Sequence, residues 1–394
     1  MAAAVTLAAE GARVTVLEAG SVPGGRARRI VSQGHSLDNG QHVLVGAYTE
    51  LLRLMDMVGV APDALLRLPL ELRYASGFRF RTLALPQPLG LAGGLLLAQA
   101  IPFSERLRAV RFIGSLQRRG FRCSPDRTVG ELLDAGPAAR FLWEPLCVSA
   151  LNTPVDRASA NAFLAVLRDT IAGNAGASDL LLPRRDLSQL FPEPAAQFVE
   201  RHRGEVHLRT SVSDVDELKR RFDAVILAVG PHQLKTVLPS LALEFAYQPI
   251  YTCYLQYEEA LKLPFPMLGL SGGLVQWVFD RGALLGERGR LACVISAEGP
   301  HQDLSLDELC ARCHKELRAE MPGLPAVLWF RGIAEKRATI ACTPSRPRPP
   351  LEVDGVVLAG DYTDPEYPPT LEAAVRSGVR AARRVLEFRG LTAS

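Results

Sequence analysis

Apolar and polar positions predict nucleotide-fold elements in three stretches that lie far apart along the chain. Residues 1 to about 60 open with an alanine-rich run ending at Gly11, which predicts a helix, and continue with the β-branched strand RVTVLEA. Residues about 200 to 240 contain the apolar strand DAVILAVGP. Residues about 350 to 394 contain the strand GVVLAGD and the helix PPTLEAAVRSGVRAA, whose prolines suit a first helical turn.

The segments between these stretches are long, less regular and rich in proline. With 394 residues, the chain also exceeds the usual size of one domain. We therefore predict an α/β fold in which a Rossmann-like nucleotide-binding domain is interrupted twice by an α+β substrate domain. The predicted boundaries are 1–62, 196–240 and 346–394 for the first domain, and 63–195 and 241–345 for the second.

Glu18 ends the first predicted strand. In a dinucleotide-binding βαβ unit, such an acid binds the ribose hydroxyls and follows the glycine fingerprint by about 20 residues. Counting back from Glu18 places the last fingerprint glycine immediately before Met1. We therefore expect the first strand and the glycine loop to be absent, the chain to be short by about 15 residues, and the cofactor to bind poorly. The alternative is that Glu18 simply ends a surface strand.

Two polar clusters follow this acid. Gly24 and Gly25 allow the backbone to approach a ligand closely, and Arg26 offers a positive charge to a pyrophosphate or a flavin edge. In SLDNGQHVLVGAY, the side chains of Asp38 and His42 stand among other polar residues just before an apolar run. Polar residues this dense beside a buried strand predict a cavity wall.

Composition and charge argue against several other classes of protein. Apolar residues make up 48% of the chain and charged residues 22%, which is typical of a globular protein. The net charge is +3, and the basic clusters at 26–29 and 219–221 are short, so nucleic-acid binding is set aside. The sequence also has no credible metal-ligand cluster, nucleophile elbow or ATPase-type phosphate loop.

Cys310, Cys313 and His314 match the spacing for covalent haem attachment. Their segment, SLDELCARCHKELRAEMPG, has Ser305 as a candidate N-cap and Gly323 shortly after the periodic residues. These local signals favour an ordinary amphipathic helix, and we predict that it carries no haem.

Residues 82–104 contain no charged side chain. A transmembrane helix needs about 20 such residues, but prolines and glycines interrupt this run, so a continuous span is not expected. The segment is either core of the substrate domain, or part of it lies on a membrane surface and admits a hydrophobic substrate.

The series VTVLEAGSVPGGRAR, LDNGQHVLVGAYTELLRL and VVLAGDYTDPEYPPTLEAAVRSGVRAA resembles the amine oxidase and phytoene desaturase superfamily of FAD enzymes. Within it, LCVSALNTPVDRASANAFLAVLRD and EKRATIACTPSRPRP resemble the hydroxysqualene dehydroxylase branch of hopanoid biosynthesis. Motifs from about residue 5 to 385 fit this resemblance. It implies FAD as cofactor, with Asp361 on the ribityl or ribose hydroxyls and the final helix N-terminus at the flavin edge. The implied cofactor contacts are Glu18, Gly24, Gly25, Arg26, Val212, Gly360, Asp361, Pro369, Thr370 and Leu371.

The branch implies that a hydride from reduced FAD replaces the hydroxyl of hydroxysqualene, giving squalene. Asp38 and His42 are the candidates for the acid that protonates the departing hydroxyl, or they only orient the cofactor. A carotenoid-type desaturase or an amine oxidase is the alternative within the fold. A truncated, inactive chain that does not bind FAD is the alternative outside it.

Partners and location follow from the same resemblance. We expect a hydrophobic isoprenoid substrate, no metal, peripheral membrane contact through 82–104 and contact with other squalene-pathway enzymes. Met1 is followed by small residues without a basic region, so no secretory signal is predicted. The expected location is the cytoplasm, with the chain held peripherally on the inner face of the membrane.

Overall fold

The structure is a computed structural model that describes residues 1–171, 173–174, 176–241 and 243–388. Residues 389–394, the end of the third predicted nucleotide-binding segment, lie outside this range. The described part mixes helices with parallel and antiparallel strands, which confirms the predicted α/β fold.

The α-helices of the described residues occur singly or in short runs between groups of strands. They are α1 (Ala2–Ala9), α2 (Thr49–Met57), α3 (Leu89–Leu96), α4 (Phe103–Arg118), α5 (Glu144–Leu151), α6 (Ala160–Ile171), α7 (Leu187–Leu190), α8 (Pro192–Arg201), α9 (Val215–Arg221), α10 (Pro231–Val237), α11 (Arg281–Leu285), α12 (Leu306–Glu320) and α13 (Leu371–Phe388).

The strands are mostly short, apart from two long ones in the second half of the chain. They are β1 (Thr15–Leu17), β2 (Arg29–Ser32), β3 (His35–Asp38), β4 (Leu44–Val45), β5 (Leu65–Leu68), β6 (Glu71–Arg73), β7 (Arg79–Arg81), β8 (Leu180–Pro183), β9 (Glu205–His207), β10 (Ile226–Leu227), β11 (Tyr247–Gln256), β12 (Met267–Gly269), β13 (Trp277–Asp280), β14 (Arg290–Ser296), β15 (Trp329–Ile340), β16 (Glu352–Val353) and β17 (Val356–Leu358).

Parallel strand pairs join the three distant stretches. β1 pairs in parallel with β9, and β10 pairs in parallel with β17, so each pair takes its strands from different stretches. β17 also pairs with β16, and the two parallel pairs belong to separate sheets. An ion pair between Arg26, after β1, and Asp361, after β17, brings the ends of the two pairs together.

A helical layer covers these strands. α1 packs against α13, and α13 also packs against α2. Within this layer the Glu372 carboxylate, which is fully buried, accepts hydrogen bonds from the backbone N–H groups of Glu50 and Leu51 at 3.1 and 2.9 Å. Arg376, one turn along α13, donates to the same carboxylate. Glu372 therefore caps the N-terminus of α2 from another helix.

A five-stranded antiparallel sheet of order β12-β13-β14-β11-β15 forms the second half of the structure. One face packs on the helices of the 89–171 region in the largest apolar cluster, which includes Phe163, Tyr254 and Phe279. The other face packs on α12 through a separate cluster. The sheet thus separates two hydrophobic layers.

Helix α12 contains the CxxCH segment, and the prediction of an ordinary amphipathic helix is confirmed. Ser305 caps it, because its hydroxyl accepts a hydrogen bond from the Glu308 N–H. Cys310 and Cys313 are fully buried against the sheet, as expected for apolar-face residues.

The charge-free run 82–104 does not form one continuous helix. It contains α3 and the start of α4, with an irregular connection between them. Within the described residues, none of the helices has both the length and the apolar character needed to cross a bilayer. Leu91, Leu95 and Ile101 join the largest cluster, so part of this run is core as predicted, whereas Leu89 and Leu97 are exposed.

The Glu372→Gln variant tests the cap that links α13 to α2. The amide has the shape of the carboxylate but no charge, so its hydrogen bonds with two backbone N–H groups and with Arg376 are weakened or lost. We therefore expect the free energy of unfolding to fall by about 2 kcal/mol. Urea denaturation followed by circular dichroism measures it. Glu10→Gln, on an exposed glutamate, is the matched control, and equal stability of the two variants would contradict the assignment.

Candidate functional site

The acid after β1 lies where the sequence predicts it. The Glu18 N–H donates to the His207 carbonyl at 2.9 Å, and the Glu18 carbonyl accepts from Thr210 N–H, so the strand end is fixed against the β9 region. One carboxylate oxygen, Oε1, accepts a hydrogen bond from the Gly20 N–H at 2.6 Å. Glu18 therefore holds the turn that leads from β1 into the glycine pair.

The glycine pair that follows has a backbone that other residues rarely adopt. Gly24 has φ +119° and Gly25 has φ +59°. A Cβ on Gly24 would lie 2.6 Å from the Ala27 carbonyl oxygen and 2.9 Å from a side-chain carbon of Pro192. The tight turn needs glycine at this position, and it orients Arg26 toward the interior.

Arg26 and Asp361 form an ion pair between the first and last stretches of the chain. The guanidinium Nη2 lies 2.7 Å from Asp361 Oδ1, and Nη1 donates to the Ala338 carbonyl at 2.6 Å. Asp361 is buried, and its negative charge raises the pKa of Arg26. Gly360 positions this carboxylate, because its φ is +151° and a Cβ there would lie 2.3 Å from the Tyr362 ring.

Val212 and the start of α13 complete this edge of the parallel strands. Val212 is half-buried in an apolar cluster that also contains Leu17 and Tyr362, which places it between the ends of β1 and β17. Thr370 caps α13 by accepting a hydrogen bond from the Ala373 N–H at 3.2 Å.

Leu371 packs in the cluster that contains Val16 of β1, and Pro369 before it is buried. The structure therefore brings the ten predicted cofactor contacts to the ends of β1 and β17 and the turns beside them.

Asp38 lies in a buried hydrogen-bond network. Its Oδ1 accepts from the Leu187 N–H at 2.8 Å, and its Oδ2 accepts from Arg281 Nη1 at 3.0 Å. Its backbone carbonyl accepts from the Tyr254 hydroxyl. Burial raises the pKa of Asp38, and the charge of Arg281 opposes that shift. Both carboxylate oxygens thus accept hydrogen bonds from N–H donors, an arrangement that suits an anchored, ionised carboxylate.

Arg281 is the main residue that the sequence did not reveal. Its side chain is only 1% exposed, and it also binds Glu287 through Nε and Nη2. Burial opposes the charge on Arg281, but Glu287, Tyr254 and Asp38 raise its pKa. The sequence around it, VFDRGALL, has no motif that predicts a buried ion pair, because its carboxylate partner Asp38 comes from a distant segment.

His42 lies beside Asp38 but in a different environment. Its Nδ1 is buried and has no hydrogen-bond partner among the described residues. Burial lowers the pKa of His42 to about 4, with a smaller contribution from Arg26. Together with Asp38 and Gln41 it lines a small cavity whose other walls are apolar, formed by residues that include Leu182, Leu187, Phe279 and Leu284. The structure therefore brings both predicted catalytic candidates to one cavity.

Comparison with known proteins shows matches along nearly the whole chain. The family described as flavin containing amine oxidoreductase matches residues 1–386. Hydroxysqualene dehydroxylase of Rhodopseudomonas palustris is 30% identical over 98% of this chain and 96% of that protein. Hydroxysqualene dehydroxylase of Sinorhizobium fredii is 28% identical over 97% of this chain and 94% of that protein.

Solved structures share the fold. An oxidoreductase from Methanosarcina mazei superposes with a TM-score of 0.70 and 16% identity, covering 97% of both chains. At that identity the likeness shows the architecture alone.

The Arg26→Leu variant tests the ion pair at the centre of the site. It leaves Asp361 buried without its cation and removes the charge offered to a pyrophosphate, so we expect flavin affinity to fall at least about tenfold. The ratio of flavin to protein absorbance after titration with FAD measures this. Arg13→Leu, whose side chain is 80% exposed, is the control, and equal flavin content in both variants would contradict the assignment.

The pKa of His42 predicts a pH dependence of stability. The unfolded chain binds a proton at His42 near pH 6.5, whereas the folded chain does so only near pH 4, so acidification through this window favours unfolding. Above pH 6.5, His42 is neutral in both states and contributes nothing. Because the ring retains some exposed surface, we expect a contribution of up to about 2 kcal/mol at pH 4.

Denaturation of the wild type and of His42→Gln between pH 4 and 8 measures this contribution. The difference between the two unfolding free energies should change below pH 6.5 and stay constant above it. His35→Gln, which alters an imidazole stacked on Trp329 elsewhere, is the control. A constant difference across the whole range would mean that His42 titrates normally.

Proposed function

This chain belongs to the flavin containing amine oxidoreductase family, and from that premise we propose that it converts hydroxysqualene to squalene by reductive dehydroxylation. As a member of this family it is an FAD-dependent oxidoreductase. The observation that carries the specific proposal is its 30% identity to a hydroxysqualene dehydroxylase over nearly the full length of both chains. Most of the side chains that surround His42 at the small cavity are apolar, which supports an apolar substrate.

The residues of the site fit FAD. The Glu18 carboxylate at a strand end suits ribose hydroxyls, the Gly24 turn has no room for a side chain, and Arg26 offers a charge to the pyrophosphate. Buried polar atoms without partners among the described residues also occur here, namely His42 Nδ1, Thr252 Oγ1 and the Tyr362 hydroxyl. Such atoms are costly unless a ligand or water binds them.

We propose that the cofactor is held by the predicted contacts. Glu18 and Val212 would hold the adenosine half, and Gly24, Gly25 and Arg26 the pyrophosphate. Gly360 and Asp361 would hold the ribityl chain. The N-terminus of α13, which begins at Leu371 directly after Pro369 and Thr370, would present backbone N–H groups to the flavin edge, where negative charge develops on reduction.

The proposed reaction replaces a C–OH bond by a C–H bond, so it consumes one hydride and one proton and releases water. When bound and reduced, FAD supplies the hydride. The side chains of Leu182, Leu187, Phe279 and Leu284 would exclude water from the developing allylic cation.

Of the two catalytic candidates, we propose His42 as the group that binds the reacting hydroxyl. It is neutral at pH 7, so it can donate a hydrogen bond without placing a positive charge beside a developing cation. Asp38 would act as a positioning residue, because Arg281 and the Leu187 N–H occupy its two carboxylate oxygens.

The domain division and the partners are also proposals. The parallel strands β1, β9, β10 and β17 fall within 1–62, 196–240 and 346–394, which supports the predicted cofactor domain. The antiparallel sheet falls within 241–345, which supports the substrate domain. We propose that the isoprenoid reaches the cavity from a bilayer contacted by residues 82–104, and that other enzymes of squalene synthesis bind nearby.

An anaerobic assay tests the proposed function. The purified chain loaded with FAD and reduced by dithionite is incubated with hydroxysqualene, and the expected product, squalene, is measured by mass spectrometry. His42→Phe should lower kcat at least about tenfold at unchanged flavin content, because phenylalanine fills the space of the ring but cannot donate a hydrogen bond to the reacting hydroxyl. His202→Phe, on a surface helix end, is the matched control.

Two outcomes would contradict the proposal. Unchanged hydroxysqualene together with desaturation of phytoene or oxidation of an amine would identify the chain as an enzyme of opposite redox direction. Failure to bind FAD would instead support an inactive chain. Flavin absorbance measured before each assay separates the two.

A further inference from the structure

Positive charge is concentrated in one segment of the chain. Residues 81–122 contain seven arginines and a single carboxylate, Glu105, giving this segment a charge of +6 in a chain whose net charge is +3. The remainder is therefore net negative. Glu105 is buried and pairs with Arg108, so it contributes little negative charge at the surface.

Exposed apolar side chains lie in the same segment. Leu85 is 51% exposed, Leu89 63%, Leu97 64% and Phe103 61%. The opposite side of α3 is buried, since Leu91 and Leu95 belong to the largest apolar cluster. An apolar helix with one face in the core and large apolar side chains in water is typical of an interaction surface.

Backbone contacts fix the chain at the two ends of α3, next to the exposed side chains. Arg106 donates to the carbonyls of Leu96 and Ile101, both at 3.1 Å, and so ties the end of α3 to the start of α4. Leu97 and Phe103 lie close in sequence to the two carbonyl groups that Arg106 binds. At the other end, a Cβ on Gly90 would lie 2.8 Å from the Leu85 carbonyl, so Leu85 is packed against the first turn of α3.

Helix α4 combines this apolar edge with basic side chains. Ala109, Ile113 and Leu116 are buried, so they define the inner face. At 100° per residue, the outward positions Phe103, Arg111 and Arg118 fall within about 80° of one another. Arg119 and Arg122 extend the exposed basic side chains beyond the helix end.

We propose that this surface, residues 85–103 together with the exposed arginines of α4, docks on a bilayer that contains anionic phospholipids. The leucines and Phe103 would enter the headgroup and acyl boundary, while the arginines bind lipid phosphates. Arginines alone would fit any polyanion, but the apolar side chains among them gain nothing from a nucleic acid. This inference deepens the proposed membrane contact by assigning its residues and its lipid chemistry.

Vesicle flotation with the full FAD-loaded chain tests the proposal. Vesicles of phosphatidylcholine alone are compared with vesicles in which about a third of the lipid is phosphatidylglycerol. We expect binding to the anionic vesicles at about 0.1 M salt, and weaker binding at about 0.5 M, where charges are screened. Binding should be at least about tenfold weaker without phosphatidylglycerol, because each arginine near the surface adds to the affinity.

Two double variants test the two components separately. The first double variant, Leu97→Ser with Phe103→Ser, removes exposed apolar surface. The second, Arg118→Glu with Arg119→Glu, reverses the charge of two exposed side chains. Each should weaken vesicle binding at least about tenfold. Matched controls lie elsewhere on the surface. Val31→Ser removes a residue that is 76% exposed, and Arg220→Glu with Arg221→Glu makes the same change in net charge. The controls should bind as the wild type does.

Equal binding by the variants and their controls, or no binding to anionic vesicles, would overturn the proposal. If light scattering without lipid shows a dimer that the Leu97→Ser, Phe103→Ser variant loses, the surface joins two copies of the chain instead. Flotation needs no substrate. A chain that binds vesicles but does not convert hydroxysqualene in detergent would therefore contradict the proposed function and leave the docking surface standing.

Discussion

The ion pair between Arg26 and Asp361 is the interaction on which the candidate site depends. It connects the turn after β1 with the end of β17, two segments that share no strand pairing with each other. A buried carboxylate without its cation would be costly, so the pair fixes the separation of the two strand ends. Glu18, Val212 and the first turn of α13 lie at the same strand ends, held by β9 and by apolar packing.

A second buried ion pair, between Arg281 and Asp38, links two distant segments of the chain at the cavity. Arg281 is the first residue of α11, directly after β13, and Asp38 is the last residue of β3, so the pair links the antiparallel sheet to the polar segment that carries His42. The Tyr254 hydroxyl reinforces the link through the Asp38 carbonyl. The geometry of the cavity therefore depends on this buried ion pair, while burial favours the neutral form of His42 beside it.

Local patterns predicted the elements well and the contacts between them less well. The helix before Gly11, the Ser305-capped helix and the strand before Asp361 are signalled by a few neighbouring residues, and the structure confirms each. The position of Arg281 could not be predicted, because its partners come from segments with independent patterns. The run 82–104 was ambiguous for a related reason: an apolar helix with one exposed face has the same composition as a buried one.

The packing of α1 against α13 has a consequence for synthesis of the protein. A ribosome releases the first stretch of this chain long before the last stretch exists, yet α1 packs on α13 and Arg26 pairs with Asp361. The antiparallel sheet is also completed late, because β11 pairs with β15, which ends at Ile340. The face of α1 that packs on α13 stays uncovered until nearly the whole chain has emerged. This is the period in which chaperones protect incomplete chains from aggregation.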